Sequence, residues 1–208
     1  ADDAIPEGQR PLLEAALQSQ DYVASDFEAG VRALAPLIAR TLNAVLPEGV
    51  RLADVAPAQR VAELEFHFTL ADADTHALLA LLQAHGIASG RRDFGAWPRL
   101  SGLMNGRIDL TCRIDGRLFV LDYKSNRLPD YDDATLRQAM AASEYDLQAL
   151  LYVVAAHRWL RLRRGPSYDY ERDIGGALYL FCRGLQAGDA RGIVTLAFAR
   201  TLVEGVDA

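Results

Sequence analysis

Two aspartates and one lysine are the residues of this chain whose types and spacing could do chemistry. Asp109 lies in the strand-like run Leu103–Ile114. Asp122 lies in the next such run, Arg117–Ser125, and Lys124 follows it two residues later. An Asp-Gly dipeptide joins the runs, and this dipeptide between alternating segments is the strongest short-range signal for a hairpin. A two-residue turn there predicts that Asp109 and Asp122 face each other across the strands.

This arrangement of charges favours a bound divalent cation. Like charges opposite each other destabilise a strand pair, and apolar neighbours raise the cost of burying each carboxylate. Hard cations such as Mg²⁺ take oxygen ligands and are commonly held by one or two carboxylates. Lys124 shares the face of Asp122 because strand side chains repeat every two residues. Its ammonium could orient an attacking water and offset charge on a phosphate, so the three residues suit phosphodiester hydrolysis.

Two other interpretations of these residues remain open at this stage. Asp109 also shares a strand face with Asn105, Arg107 and Thr111, which is the pattern of a solvated face with Asp–Arg pairs. A three-residue turn in place of the two-residue turn would put the two acids on opposite faces of the hairpin.

The surrounding pattern predicts a mixed α/β domain. Apolar residues at three- and four-residue spacings predict helices over Gln9–Gln20, Phe27–Val45, Ala73–His85 (ending at Gly86) and Asp133 to about Arg163, with a break near Glu144–Asp146. Besides the hairpin, alternation and turn signals predict strands over Val61–Leu70 and Ala177–Cys182. Residues 87–101 have a loop composition, and the tail Gly192–Val203 fits either a helix or a strand.

Size and cysteine usage indicate one soluble intracellular domain. The chain has 208 residues, which suits one domain, and no apolar run long enough to span a membrane. Cys112 and Cys182 have no zinc-ligand spacing and lie in apolar stretches, as buried free thiols do in a reducing compartment. We therefore expect a cytoplasmic protein without a membrane partner.

Net charge gives a mixed indication about nucleic acid. The formal charge of −6 argues mildly against phosphate binding, although a metal-dependent nuclease concentrates acid at its site. The conspicuous basic run, His157–Arg164, is either the solvated end of a helix, where cations complement the helix dipole, or a contact to the DNA backbone.

The candidate residues belong to a wider pattern that resembles the RecB-type nuclease domains of the PD-(D/E)xK superfamily. The segments that carry the resemblance are Gly106–Leu110, Leu121–Asn126, Tyr145–Gln148, Leu151-Tyr152, His157–Leu160, Tyr168–Glu171, Gly175–Phe181 and, upstream, Glu63–Phe66. The similarity spans about residues 27–195. It implies a restriction-endonuclease-like core, in which a central mixed sheet is flanked by helices. It also implies that residues 1–208 form one nuclease domain of a larger helicase–nuclease subunit, with a helical part over 1–60 and the nuclease core over 61–208.

The resemblance also implies a role for each matching residue. Metal ligands are implied at Asp109, at Asp122 and at the backbone carbonyl of Tyr123, and the catalytic lysine at Lys124. Glu63 matches an acid at the edge of the site, which implies a ligand to a metal or to a metal-bound water.

Gln148 and Tyr152 match the Q-x-x-x-Y pair of the family, and their spacing independently places them on one helix face. The alternative for these two residues alone is a core tyrosine with a polar neighbour.

One feature of the family has no match in this sequence. The family carries a histidine ligand in a G-T-x-x-H segment, and none of His67, His76, His85 or His157 lies in such a context. We therefore expect this chain to be a piece of a larger subunit and, by itself, to bind metal weakly or to lack activity. No G-x-x-x-x-G-K-[ST] motif occurs, so we expect no ATP hydrolysis by this segment.

The resemblance thus implies a Mg²⁺-dependent DNA nuclease that acts during double-strand-break repair. Its expected substrate is single strands from an unwound duplex, and its expected partners are the other subunits of a helicase–nuclease complex, with a recombinase as a further partner. The alternative is a non-catalytic nuclease-like module that binds DNA or a partner protein. A nuclease acting on RNA with the same fold is a weaker third reading.

Overall fold

The protein structure is a computed structural model that describes residues 9–95 and 97–208. Its α-helices are α1 (Arg10–Gln18), α2 (Phe27–Asn43), α3 (Thr75–Ala84), α4 (Asp133–Ala142), α5 (Tyr145–Arg164), α6 (Tyr170–Asp173) and α7 (Arg200–Asp207). Its strands are β1 (Arg60–Asp74), β2 (Arg99–Ile114), β3 (Arg117–Lys124), β4 (Ile174–Phe181) and β5 (Ile193–Leu196). Short 3-10 turns cover Ala24–Asp26, Pro47–Gly49, Leu52–Asp54, Pro57–Gln59 and Gly165–Ser167. No helix in this part of the chain is both long and apolar enough to cross a membrane.

The described strands form a mixed sheet in the order β1-β2-β3-β4-β5. Strands β3 and β4 run parallel, whereas each of the other neighbouring pairs is antiparallel. A parallel pair needs a long crossover, and here α4, α5 and α6 provide it. The predicted central mixed sheet flanked by helices is confirmed.

Each face of the sheet carries its own hydrophobic core. Along β3, Leu118 and Val120 pack into the core that contains the apolar side of α5 and α7. Phe119 and Leu121 pack into a second core on the opposite face, with the segment that follows α2. Because side chains alternate along a strand, every second residue after Val120 faces α5. The end of β3 is thereby directed at this helix.

The long helix predicted after Asp133 is interrupted where its sequence indicates. Helix α4 ends at Ala142 and α5 begins at Tyr145. Between them Glu144 has a φ of 50°, a left-handed conformation that breaks the helical repeat. The predicted break near Glu144–Asp146 is confirmed.

Helix α3 begins two residues later than its apolar pattern predicts. Ala73 and Asp74 still belong to β1, and the Asp74 carboxylate caps the helix by accepting hydrogen bonds from the backbone N–H groups of His76 and Ala77, both at 2.9 Å. The end of the helix agrees with the prediction, because Gly86 has a φ of 75° just beyond it.

Strand β1 is longer than the predicted strand over Val61–Leu70, and β2 begins inside the segment predicted as a loop over 87–101. The reason is mutual pairing, since β1 and β2 form a two-stranded ribbon that continues to Asp74 opposite Arg99. Residue 96 of the predicted loop lies outside the described residues.

The remaining boundaries differ from the predictions by small amounts. Helix α1 begins one residue later and ends two residues earlier than predicted, and α2 ends two residues earlier. Strand β4 begins at Ile174, three residues before the predicted start, and ends at Phe181. The ambiguous tail contains both β5 and the first residues of α7.

Asp173, a buried residue with 1% exposure, anchors the start of β4. Its carboxylate accepts hydrogen bonds from Arg172 Nε at 2.9 Å and Arg164 Nη1 at 2.5 Å. It also accepts one from the backbone N–H of Asp169 at 2.9 Å. These donors, Arg172 first, hold the pKa of Asp173 well below its usual range. The ionised carboxylate therefore joins the end of α5 to β4.

We predict that Asp173→Asn lowers the free energy of unfolding by about 1–3 kcal/mol at neutral pH, the range for hydrogen bonds to a charged group. Because the folded pKa is depressed, the wild-type advantage is complete above the unfolded pKa of about 3.9 and is lost as the pH falls below it. Urea unfolding at several pH values measures this gap.

The matched control is Asp54→Asn, which weakens an exposed pair with Arg51 and should change little. A gap for Asp173→Asn that stays constant as the pH falls below about 4 would contradict the prediction.

Candidate active site

The hairpin between β2 and β3 has the two-residue turn that its sequence predicts. Asp115 and Gly116 have φ values of 48° and 78°, and positive φ at both central residues is the mark of a type I′ turn. The backbone ladder keeps the predicted register as far as Leu110 opposite Leu121. The alternative of a three-residue turn is therefore wrong.

Asp109 and Asp122 are the next residues along the two strands, where this ladder ends. Asp109 Oδ2 accepts a hydrogen bond from the backbone N–H of Tyr123 at 2.9 Å. Beyond the last backbone pair, the two strands are therefore joined by a side-chain-to-backbone hydrogen bond. The charge of Asp109 also contributes to the raised pKa of Asp122. The turn thus brings the two acids into one electrostatic environment.

Strands β1 and β2 are both distorted at the level of Asp109. Glu63, which the β1–β2 register would place opposite Asp109, has a φ of 55°, and this pair is missing from the ladder. On one side of Asp109, Leu110 packs into the core away from α5, while on the other side Ile108 packs into the core beneath α5. Residues two apart share a face in a regular strand. The side of β2 that faces the core beneath α5 before Asp109 therefore faces the opposite core after it.

Asp122 is a buried acid, 4% exposed, beside the ammonium of Lys124. The distance from Lys124 Nζ to Asp122 Oδ2 is 2.6 Å. This oxygen forms an ion pair with the ammonium and accepts no hydrogen bond from any other described residue. Burial raises the pKa of Asp122, the ammonium of Lys124 opposes the rise, and Asp109 adds to it. The carboxylate keeps an acceptor position that a cation could use.

Lys124 is the one lysine among the 22 lysine and arginine residues of the chain. Its side chain is 11% exposed. Its Nζ donates a hydrogen bond to Gln148 Oε1 at 2.9 Å and lies 3.8 Å from the centroid of the Tyr145 ring. The compact ammonium meets an acid, an amide and a ring face from one point, whereas the larger guanidinium fixes its donors in one plane and would need a different arrangement of the three groups.

Gln148 connects Lys124 to two tyrosines. Its Oε1 also accepts a hydrogen bond from the Tyr179 hydroxyl at 3.0 Å, and its Nε2 donates to the Tyr152 hydroxyl at 3.0 Å. Burial raises the pKa of both tyrosines, which keeps the hydroxyls protonated. The amide of Gln148 is therefore fixed in one orientation, with its oxygen towards Lys124. The predicted Gln148–Tyr152 pair does share one face of α5.

Two residues of this cluster, Tyr145 and Tyr179, received no role from the sequence. Tyr145 had a usable signal, since it lies three residues before Gln148 on the same helix face. Tyr179 lies opposite Asp122 in the parallel ladder between β3 and β4. That pairing crosses three helices and leaves no local signal.

Phe66 supports Tyr152 from the ribbon. The two rings meet edge to face with centroids 5.9 Å apart. Phe66 lies across Gly106 of the neighbouring strand, where a Cβ would come within 2.4 Å of Phe66 Cζ. The glycine at position 106 therefore makes room for the ring that Tyr152 contacts.

Glu63 lies apart from the cluster formed by Asp122, Lys124 and Gln148. Its carboxylate pairs with Arg107 at 2.7 Å, and its side chain is 59% exposed. Its backbone lies beside Asp109 at the edge of the site, but its side chain points to Arg107. The alternative of an Asp109–Arg107 pair is also not seen, because in the described structure Arg107 pairs with Glu63.

The basic run His157–Arg164 is largely engaged in contacts within the fold. Arg158 and Arg161 both pair with Asp207 of α7. Farther along the helix, Arg164 pairs with the buried Asp173. These contacts attach α7 and β4 to α5. They favour the structural interpretation of the run over a DNA contact.

The described structure also contains a cavity of about 640 Å³, away from the two acids. It lies between α3, the middle of α5, the end of α7 and the far part of the β1–β2 ribbon, and its walls are mainly apolar. The chemistry-bearing residues do not line it.

The donor set at the hairpin fits a hard divalent cation. Asp122 has a buried oxygen that contacts the Lys124 ammonium and no other described donor, and Asp109 adds a second carboxylate of the kind that Mg²⁺ prefers. Across residues 9–95 and 97–208, no group of three or more His, Cys, Asp or Glu side chains is gathered as for a complete protein-built metal cage. Mg²⁺ commonly uses only one or two carboxylates and takes its other ligands from water and substrate phosphate.

A family model described as PD-(D/E)XK nuclease superfamily matches residues 4–202. The chain belongs to this superfamily. Its restriction-endonuclease-like fold, predicted from the resemblance, is thereby confirmed. No single residue decides this membership, because the match covers nearly the whole chain.

This chain is similar to several proteins named RecBCD enzyme subunit RecB. It is 36% identical to the Haemophilus influenzae protein over 151 residues, which cover 70% of this chain and 12% of that one. It is 38% identical to the Escherichia coli protein over 155 residues, 71% of this chain and 13% of that one. It is 33% identical to a Mycobacterium tuberculosis protein over 249 aligned residues, 92% of this chain and 23% of that one. The predicted resemblance to RecB is confirmed, and the chain spans a small part of these relatives.

We predict that Gly106→Ala lowers the free energy of unfolding by about 1–3 kcal/mol, the usual cost of overpacking. The new methyl group would displace the Phe66 ring and with it the contact to Tyr152. Gly90→Ala is the matched control, because a Cβ at position 90 would meet no atom within 4 Å. Equal urea midpoints for the two variants would contradict the prediction.

Proposed function

We propose that this chain is a Mg²⁺-dependent nuclease that hydrolyses phosphodiester bonds in DNA. The observation that carries the proposal is the buried Asp122, whose Oδ2 pairs with the chain's one lysine at 2.6 Å and accepts a hydrogen bond from no other described residue. One ammonium offsets only one of the two neighbouring carboxylate charges, so the buried site favours a further cation. Membership of a nuclease superfamily supports the same reading.

In the proposed mechanism the two hairpin acids hold the metal. Asp109 and Asp122 would supply carboxylate oxygens, and Tyr123 would supply its backbone carbonyl. When bound, the ion would lower the pKa of an attacking water and offset charge on the scissile phosphate. The hydrogen bond from the Tyr123 N–H to Asp109 fixes one of these carboxylates in advance.

Lys124 would orient the attacking water and offset charge that develops on the phosphate. Gln148 and Tyr145 hold its ammonium at the position next to Asp122. Tyr152, attached to Gln148, shapes the site from the side of α5. We assign Glu63 a supporting role at the edge of the site, since its backbone lies beside Asp109 in the distorted part of β1.

We further propose the larger setting of this activity. The relatives are named as a subunit of the RecBCD enzyme. By analogy, residues 1–208 would be the nuclease domain of a larger helicase–nuclease subunit, with a helical part over 1–60 and the nuclease core over 61–208. Such a domain would receive single strands from an unwound duplex during DNA repair, beside the other subunits and a recombinase, in the cytoplasm.

We predict that Asp122→Ala abolishes both divalent-ion binding and DNA cleavage, because it removes the more buried of the two candidate ligands. Lys124→Ala should retain ion binding and lower the cleavage rate by about 100-fold or more, as the loss of one preorganised charge does in other sites. Lys124→Arg should not restore the rate. Calorimetry with Mg²⁺ and cleavage of end-labelled single-stranded DNA measure the two effects.

Cleavage should be measured for the chain alone and for a longer protein that supplies the family's histidine segment. Asp54→Ala, which removes an exposed acid in a remote turn, is the matched control and should cut DNA like the wild type. Ion binding that survives Asp122→Ala, or cleavage that neither substitution changes, would contradict the proposal. Cleavage that requires a ribose 2′-hydroxyl would instead identify an RNA nuclease.

A further inference from the structure

The segment that follows α3 contacts the first turn of α5, the turn that holds Lys124. Arg91 Nε donates to Glu144 Oε1 at 2.9 Å, and Arg91 Nη2 donates to the other carboxylate oxygen. The backbone N–H of Ala88 donates to Asp146 Oδ2 at 3.0 Å. Acidic side chains on both sides of Tyr145 are therefore bound by this one segment.

The backbone conformation of Glu144 determines the direction in which α5 leaves the preceding turn. Its φ of 50° is a strained conformation for a residue other than glycine, and such a conformation persists where surrounding contacts hold it. The next residue, Tyr145, carries the ring that lies 3.8 Å from Lys124 Nζ. Gln148, whose backbone N–H donates to the Glu144 carbonyl at 3.2 Å, carries the amide that Lys124 contacts. A rotation at Glu144 would move both groups away from Lys124.

The segment that carries Arg91 is itself anchored in the fold. Ile87 and Ala88 are buried in the core beneath α5. Gln83 Nε2 of α3 donates to the Arg91 carbonyl at 2.8 Å, and the Arg91 guanidinium lies 4.9 Å from the centroid of the Phe94 ring. Arg91 therefore approaches Glu144 from a fixed support.

We propose that Arg91 is a positioning residue of the nuclease site, which acts by clamping Glu144 so that Tyr145 and Gln148 stay in contact with Lys124. The proposal rests on the nuclease function proposed for this chain, since it assigns Arg91 to the same site. A bidentate arginine–carboxylate contact provides geometric restraint as well as charge. A site held from remote residues loses rate when its groups shift by a small distance.

Acylation of Lys124 tests the clamp without metal or DNA. Since the chain has one lysine, a succinimidyl ester labels this side chain and the terminal amine, and mass spectrometry separates the two products. In Arg91→Ala the labelling rate of Lys124, normalised to the terminal amine, should rise by about tenfold, because losing charge-assisted hydrogen bonds shifts a local opening equilibrium by about that factor. Glu144→Gln, which preserves the shape of the side chain, should raise the rate in the same direction.

Two controls separate positioning from general loosening of the fold. Arg51→Ala removes a bidentate pair of the same form, with Asp54 Oδ2 at 2.7 Å and Oδ1 at 2.9 Å from the Arg51 nitrogens, in a turn packed against the other core. It should leave Lys124 labelling unchanged. The reversed pair, Arg91→Glu with Glu144→Arg, should recover much of the wild-type protection.

The cleavage assay supplies a second readout. Arg91→Ala should lower kcat by about tenfold to a hundredfold. The KM for DNA should stay within about twofold, because Arg91 is assigned no contact with the strand. If neither the chain alone nor the longer protein with the histidine segment cuts DNA, but labelling responds as expected, the nuclease proposal fails and the clamp stands. Labelling that is unchanged in both Arg91→Ala and Glu144→Gln, or that rises equally in Arg51→Ala, overturns the clamp.

Discussion

The buried contact between Lys124 and Asp122 is the interaction on which the surrounding structure depends. Removing an ammonium and a carboxylate from water costs several kcal/mol per ion, and their mutual attraction offsets this only with further polar contacts. The described structure supplies these contacts through the Gln148 amide and the Tyr145 ring, both in the first turn of α5. Helix α5 and strand β4, which pack on β3 through apolar contacts, also supply the polar groups that surround this pair.

The second requirement is a sheet that bends at the correct place. A regular β2 would keep the Asp109 side chain in an ordinary cross-strand position and its backbone in the ladder. Instead β2 changes its buried face at Asp109, and Glu63 adopts a left-handed conformation beside it. The Asp109 carboxylate then bonds the backbone of Tyr123 in β3. Distortions of this kind occur next to active sites because they re-aim a side chain.

Local patterns predicted much of this architecture. The two-residue turn and the strand alternation gave the β2–β3 register, and the helix period placed Gln148 and Tyr152 on one face. The parallel pairing that brings Tyr179 to Gln148 was not predictable, because it joins strands separated by three helices. The exposed ion pair of Glu63 also left no signal, since it depends on a backbone distortion. The catalytic roles of Asp109, Asp122 and Lys124 stay predictions that the geometry supports.

The ion pairs that attach α7 and β4 to α5 also affect the rate at which this protein would associate with a polyanion. Arg158, Arg161 and Arg164 have carboxylate partners, and the chain as a whole carries a formal charge of −6. Electrostatic steering, which raises association rates by orders of magnitude, needs an uncompensated basic field. On the function proposed above, a chain built this way would capture free DNA slowly, because its net negative charge repels the strand. It would work well where a tether keeps the strand at a high effective concentration.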